Sequence, residues 1–312
     1  MMKAFALEEL GMPGTVMDVP VPEPSDGEVR IRVVAAGLNP FDASVIQGAM
    51  QEQMEHRFPF VPGSDASGTV DAIGRGVTGV AVGDEVFGSV GKKYLGEGTL
   101  AGSTTMGVGT IARKPPALDH PAAAAMPVAG GTALTMIEAA PVSDGDVVVV
   151  VGATGGVGSY YVQLAARRGA RVIAICSAGN AEYARSLGAT DVVDHAVGDA
   201  VEAVRSVAPE IDIVADMHRG DTATRLAELV RAGGHVVSAV GGADTDALRA
   251  REITGTNVMG RVATDPLETL ARMIERGELI NPEIRSYRLE QATEAFEQVG
   301  SGHTRGKVVV VP

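Results

Sequence analysis

Cysteine occurs once, at Cys176, in a chain of 312 residues. A single thiol excludes a disulfide within the chain and a thiolate-rich zinc site. It suits a reducing compartment. Positive charge is also scarce: 26 Lys and Arg face 39 Asp and Glu, for a net charge of −13. That balance argues against nucleic acid or an anionic membrane as a partner. No long apolar run exists. The longest Ala-rich stretch, Ala122 to Ala140, is interrupted by Pro127, Gly130, Gly131 and Glu138, too often to span a bilayer. The opening residues Met1 to Glu9 meet acid too early for a signal peptide. The expectation is a soluble, cytoplasmic protein. With 45% apolar residues, disorder is excluded, and the length suits two domains.

The first third consists of short alternating segments such as Val29 to Ala35, Gly68 to Gly74 and Asp84 to Gly88, punctuated by Gly and Pro. That spacing is the mark of an all-β domain. Near Pro115-Pro116 the texture changes. Apolar strands at Val147–Val151, Arg171–Cys176, Asp191–Val193, Ile211–Met217 and His235–Val240 alternate with helical patterns, one of them Thr222 to Arg231. Strands alternating with helices imply a parallel sheet covered on both faces. Past about Gly260 the rhythm stops. Helices are expected at Pro266 to Gly277 and Leu289 to Val299, then a strand at Lys307 to Val311.

Within this frame one local pattern carries chemistry. Five valines end at Val151, and Gly152-Ala153-Thr154-Gly155-Gly156-Val157-Gly158 follows, opening an amphipathic helix that stops at Gly169. Glycine permits the sharp turn and lets a ligand approach the main chain. The helix N-terminus offers free N–H groups and a positive dipole end, suited to a pyrophosphate. Gly155, Gly156, Val157 and Gly158 would line that site. The loop has one residue more than the strict Gly-x-Gly-x-x-Gly spacing after its first glycine, but the strand before and the helix after give it context. A turn used only for packing is the competing reading. At the tip of the next strand, Cys176-Ser177-Ala178-Gly179-Asn180 has no acid to hold a ribose diol. Ser177 and Asn180 could donate to a 2′-phosphate instead, which favours NADPH over NADH.

The chain as a whole resembles the medium-chain dehydrogenase/reductase superfamily, in its zinc-independent quinone oxidoreductase branch. The residues that carry the likeness are Gly37 to Asp42, Phe58 to Asp65, Val82 to Val86, the Ala153–Gly158 loop, Ser186 to Ala189 and Gly306 to Val309. The resemblance implies an α/β protein: a Rossmann doubly wound parallel sheet, residues 120–256, inserted in a β-rich GroES-like catalytic domain, residues 1–119 plus 257–312. It also implies a homodimer paired through the sheet edge near Asn257 to Ala263. Zinc enzymes of this superfamily carry a cysteine where this chain has Asn39 and a histidine where it has Ser64. Asn39 and Ser64 are poor replacements, and the six histidines are dispersed, so no metal is expected.

What the resemblance implies for catalysis is hydride transfer from NADPH to a quinone or an α,β-unsaturated carbonyl. It places Asn39 and Asp42 near the nicotinamide, Asn39 to meet developing oxygen charge and Asp42 to orient it or a water. Asn39-Pro40-x-Asp42 reads equally as a helix start, with Asn at the cap and Pro first. No tyrosine follows this pair as in some relatives. Tyr94 is an alternative proton donor, in a polar loop where exposure is expected. The resemblance further assigns Thr132 to the nicotinamide and Lys307 to the pyrophosphate, the competing readings being helix packing and a surface lysine. Met217 should pass the adenosine ribose, with Ala239, Val240 and Gly241 supplying main-chain contacts. His195 falls near the adenine end, either as a contact or as a surface loop residue. Two alternatives stay open. An enoyl-thioester reductase would want a basic patch, for which Arg249, Arg251 and Arg261 are available. A non-catalytic NADPH-binding protein is the other.

Overall fold

The computed structural model describes residues 1–260 and 262–312. The chain divides into two compact units, Met1–Val128 with Val262–Pro312, and Ala129–Arg261.

The first unit is built on a seven-stranded sheet. Its order is Ile284–Arg288, Lys307–Val311, Glu28–Leu38, Asp65–Ile73, Glu85–Ser89 and Ile111–Arg113, with Ser103–Gly107 also pairing on the Glu28 strand. The long central strand shows why. Val29, Ile31 and Val33 alternate with arginines and all three are buried, the signature of a sheet with one covered face. They pack with Val70, Val86, Met106 and Phe296. Beyond Val33 the strand is small and buried on both sides, through Ala35, Ala36 and Gly37. A Cβ on Gly37 would strike the Ala124 carbonyl. The helix His120–Ala124, capped by Asp119 on the Ala122 N–H at 2.8 Å, fits only because that Cβ is missing. This helix packs on the same sheet. By its contacts the unit runs past the proline pair to Val128 and resumes at Val262, where the resemblance implied limits at 119 and 257.

The second unit holds six parallel strands in the order Asp191–Asp194, Arg171–Cys176, Val147–Val151, Ile211–Asp216, Val230–Ser238 and Thr254–Asn257. The strand order turns at Val147–Val151, where ligands gather in doubly wound sheets. Val148 to Val151 are buried, as a sheet covered on both faces requires. The helical pattern Thr222 to Arg231 is realised only in part. An α-helix covers Thr222–Leu226, a 3-10 turn Ala227–Leu229, and the strand already begins at Val230. A register shift and Gly233 at φ +79° absorb the early start, since glycine tolerates that angle. The strand ends at Ser238, leaving Ala239 and Val240 outside it. Among the described residues no helix is long and apolar enough to cross a membrane.

Candidate active site

In the first unit, Asn39 follows the Glu28–Leu38 strand in extended conformation (φ −128°, ψ 154°), and Pro40 opens the helix Pro40–Ile46. Asn39 is the N-cap and forms a capping box with Asp42. Asp42 accepts from the Asn39 N–H at 2.8 Å. The Asn39 side chain also reaches beyond the helix. Its Nδ2 donates to Asp65 Oδ2 at 3.0 Å and its Oδ1 accepts from Lys307 Nζ at 2.6 Å. The helix-start reading therefore holds, and the carboxamide meets charged partners besides.

Lys307 is brought there by register. Val308 pairs with Leu38 across the antiparallel strands, so Lys307 sits beside the strand end. It donates to the Leu38 carbonyl at 2.8 Å and lies 3.9 Å from Asp65. It is 4% exposed, so the surface-lysine reading fails, and its ammonium is already engaged inside this unit. Asp65, fully buried, also accepts from the Val128 N–H at 3.1 Å. Burial pulls Lys307 below its ordinary range, opposed by Asp65 and Asp42. Burial pushes Asp65 up, opposed first by Lys307.

Asp42 is buried as well. Burial raises its pKa to about 6, the neighbouring Asp65 adds to the rise, and bonds from Ser64 and the Asn39 N–H restrain it. The Ser64 hydroxyl donates to Asp42 Oδ1 in a short hydrogen bond. Asp42 and Ser64 border a cleft of about 70 Å³ whose apolar sides include Phe41 and Phe60. Lys92 and Tyr94 form its polar wall. Tyr94 is not an exposed loop residue. It opens the strand Tyr94–Glu97, paired with Glu55–Val61, and the Arg57 guanidinium covers its ring at 3.4 Å. Its hydroxyl donates to Glu97 at 2.8 Å and accepts from Lys92 at 3.0 Å.

The second unit builds its site from main chain. Gly152 takes φ +79° as the valine strand ends. Gly155 caps the helix Gly156–Ala166 in extended conformation. The N–H groups of Gly156, Val157 and Gly158 occupy its first turn, where no intrahelical acceptor exists. A Cβ on Gly158 would strike the Gly152 carbonyl and Ala153, so the third glycine lets helix and loop close. This cradle fits a pyrophosphate. Thr154, which the sequence reading passed over, is buried and accepts from Asn180 Nδ2 at 3.2 Å. That bond ties the tip of the second strand to the loop and draws on one donor assigned to a 2′-phosphate. Ser177 stands half-buried before the 3-10 turn Ala178–Asn180.

A second knot was also missed. Asp216, buried at its strand end, accepts from Ser238 Oγ at 2.7 Å and from the His218 N–H at 3.2 Å. Ser238 in turn accepts from the N–H groups of Val240 and Gly242, at 3.1 and 2.9 Å. These bonds shape the turns carrying Met217 and Ala239 to Gly241, the latter at φ +82°. An acid closing an apolar strand was the available signal. Thr132 is buried in the helix Pro127–Ala139, close against Gly260. His195 is exposed beyond Asp194. Arg249 pairs with Asp246, and Arg251 donates to the Ala227 and Glu228 carbonyls; Arg261 lies outside the described residues. Among those described, no group of three His, Cys, Asp or Glu could hold a metal.

Comparison with known proteins agrees with this construction. Residues 25–128 match the alcohol dehydrogenase GroES-like domain, and residues 187–310 match the zinc-binding dehydrogenase family. The chain is 32% identical to 2-methylene-furan-3-one reductase of Solanum lycopersicum, over 100% of this chain and 79% of that protein. It is 31% identical to an NADPH-dependent alkenal/one oxidoreductase, chloroplastic, of Arabidopsis thaliana, over 95% and 75%. The solved structure of a quinone oxidoreductase from Coxiella burnetii superposes with a TM-score of 0.90 at 28% identity, over 100% of this chain and 99% of that one.

Proposed function

The chain belongs to the quinone oxidoreductase branch of the medium-chain dehydrogenase/reductase superfamily, an NAD(P)H-dependent oxidoreductase, and from there we propose that it is a zinc-independent, NADPH-dependent reductase of quinones or α,β-unsaturated carbonyls. The observation that carries this reading is the buried triangle of Asn39, Asp65 and Lys307. The donors do not fit zinc. Both ends of the Asn39 carboxamide are taken, the Ser64 hydroxyl is committed to Asp42, and an ammonium already supplies positive charge. Zinc prefers thiolate, imidazole or carboxylate in a tetrahedral set.

Bound at the glycine cradle, the reduced nicotinamide would supply hydride to an electron-poor carbon. The protein's own residues do the rest. Gly156, Val157 and Gly158 hold phosphate through main-chain N–H groups. Phe41 and Phe60, on the apolar side of the cleft, would shield one end of the acceptor from water. Ser177 and the lack of an acid at that strand tip support NADPH over NADH. The names of the tomato and Arabidopsis relatives point to enones as acceptors. A cytoplasmic homodimer paired through the sheet edge near Asn257 to Ala263 belongs to the same proposal.

The test is NADPH oxidation with a panel of quinones and small enones, repeated with NADH and after exhaustive chelation. We expect turnover that survives chelation and favours NADPH. Activity restored only by added zinc, or confined to alcohol oxidation, overturns the proposal. Equal use of NADH overturns its cofactor part.

A further inference from the structure

Reduction of an enone or quinone needs a proton as well as a hydride, and the cleft of the first unit offers two hydroxyls. They differ in what they are bonded to. Tyr94 donates to the Glu97 carboxylate while Lys92 donates to both, at 3.0 and 2.6 Å. Lys92 also donates to Thr105 at 2.5 Å and lies 3.6 Å from Glu28. This wall is a closed charge network, with Arg57 over the Tyr94 ring. Withdrawing its phenolic proton would leave a phenolate beside Glu97. Burial and that carboxylate already push Tyr94 up, against the pull of Lys92.

Ser64 likewise donates to a carboxylate, but the Asp42 carboxyl bonds a neutral N–H where Glu97 bonds an ammonium. The Ser64 hydroxyl is half-buried at the cleft and bonded to Asp42, whose other oxygen is fixed by the Asn39 N–H. We propose that Ser64 delivers the proton that completes the reduction and is resupplied by Asp42. Ser64 is then a catalytic residue and Asp42 acts through it. The inference rests on the reductase reading above.

The step balances as follows. Hydride joins the β-carbon of the acceptor and the C=C electron pair moves to form an enolate. The Ser64 O–H bond breaks as its proton joins the α-carbon. The Asp42 O–H bond breaks as its proton passes to Ser64 Oγ, leaving a carboxylate that water reprotonates. In this state the Ser64–Asp42 bond is reversed, with the carboxylic acid donating and the hydroxyl hydrogen facing the cleft. Burial makes that protonated form accessible near neutral pH, aided by Asp65 and opposed by the bonds from Ser64 and the Asn39 N–H and by Lys307. Lys92, Tyr94 and Glu97 are the titratable groups across the cleft.

The experiment is reduction of an α-substituted enone in heavy water, with NADPH titrated separately to confirm a folded, cofactor-competent protein. We expect the wild type to place deuterium on one face of the α-carbon. Ser64→Val should lower kcat about a hundredfold and give both faces, while Ser64→Thr should restore rate and facial preference. Asp42→Asn, which keeps the shape, should lower kcat about tenfold or more and abolish any fall in rate above pH 6. Ser64→Val with wild-type rate and a single face overturns the inference, as does Asp42→Asn with an unchanged rate and pH profile. A wild type that reduces no enone or quinone sinks the reductase reading itself, and this inference with it.

Discussion

The two units recognise charge by opposite means. The glycine loop of the second unit offers main-chain N–H groups and an absence of side chains, so recognition there would follow from backbone shape. The first unit works through side chains, with Asn39, Asp42, Asp65 and Lys307 buried against one another. A main-chain cradle loses little stability when empty, because it buries no charged side chain. A buried polar cluster must be satisfied at all times, since each unpaired member costs desolvation energy. Binding and stability should therefore separate between the units.

The strongest attempt to break that contrast is Lys307→Met. It leaves two carboxyls and a carbonyl without their cation and should cost about 3–5 kcal/mol, read by urea denaturation. NADPH affinity of the folded fraction should change little. A large loss of affinity with stability intact would return Lys307 to the pyrophosphate role that the resemblance assigned. Gly158→Val is the converse. Its side chain collides with the Gly152 carbonyl and Ala153, and nucleotide affinity should fall by about a hundredfold, read by fluorescence titration. Unchanged affinity would mean the loop serves packing alone.

Asp42→Asn sharpens the comparison through pH. The native carboxyl titrates near 6 and the unfolded one near 3.8. The native state thus holds the proton more tightly, and the resulting stabilisation is complete below the unfolded value and lost as pH rises through 6. At pH 8 the variant should exceed the wild type by about 2–3 kcal/mol relative to their difference at pH 3.5. Parallel stability curves for the two proteins would refute this. The smallest effect is Asn180→Ala, which frees Thr154 from its one bond across the strand tip. It should cost about 0.5–1.5 kcal/mol and weaken NADPH more than NADH; equal weakening would show that Asn180 only braces the loop.

The same contrast explains what the amino-acid order disclosed. The glycine cradle is contiguous, so Val147 to Gly158 reads as strand, turn and helix without tertiary knowledge. The alternation Val29-Arg30-Ile31-Arg32-Val33 likewise announced a half-covered sheet. The polar cluster joins positions 268 residues apart, and nothing local to Lys307 shows that Val308 will pair with Leu38. Asn39 looked like a cap because Pro40 and Asp42 follow it. Its side chain engages Asp65 and Lys307 as well because they arrive from other strands. Tyr94 looked like loop because glycines and lysines surround it, whereas pairing with Glu55 makes it strand. The boundary residues 120–128 looked like the start of the parallel unit, but a missing Cβ at Gly37 seats their helix on the other sheet.

The bond from Lys307 to Leu38 also constrains assembly. A chain made from its N-terminus presents Asn39, Asp42 and Asp65 long before Lys307 exists. Until that final strand docks, two acidic groups would have to enter the interior uncompensated, which disfavours early closure. Residues 129–260 contribute no member of this cluster and are free to fold first. The intervening α/β unit thus has time to mature while the flanking β unit waits for its last ammonium.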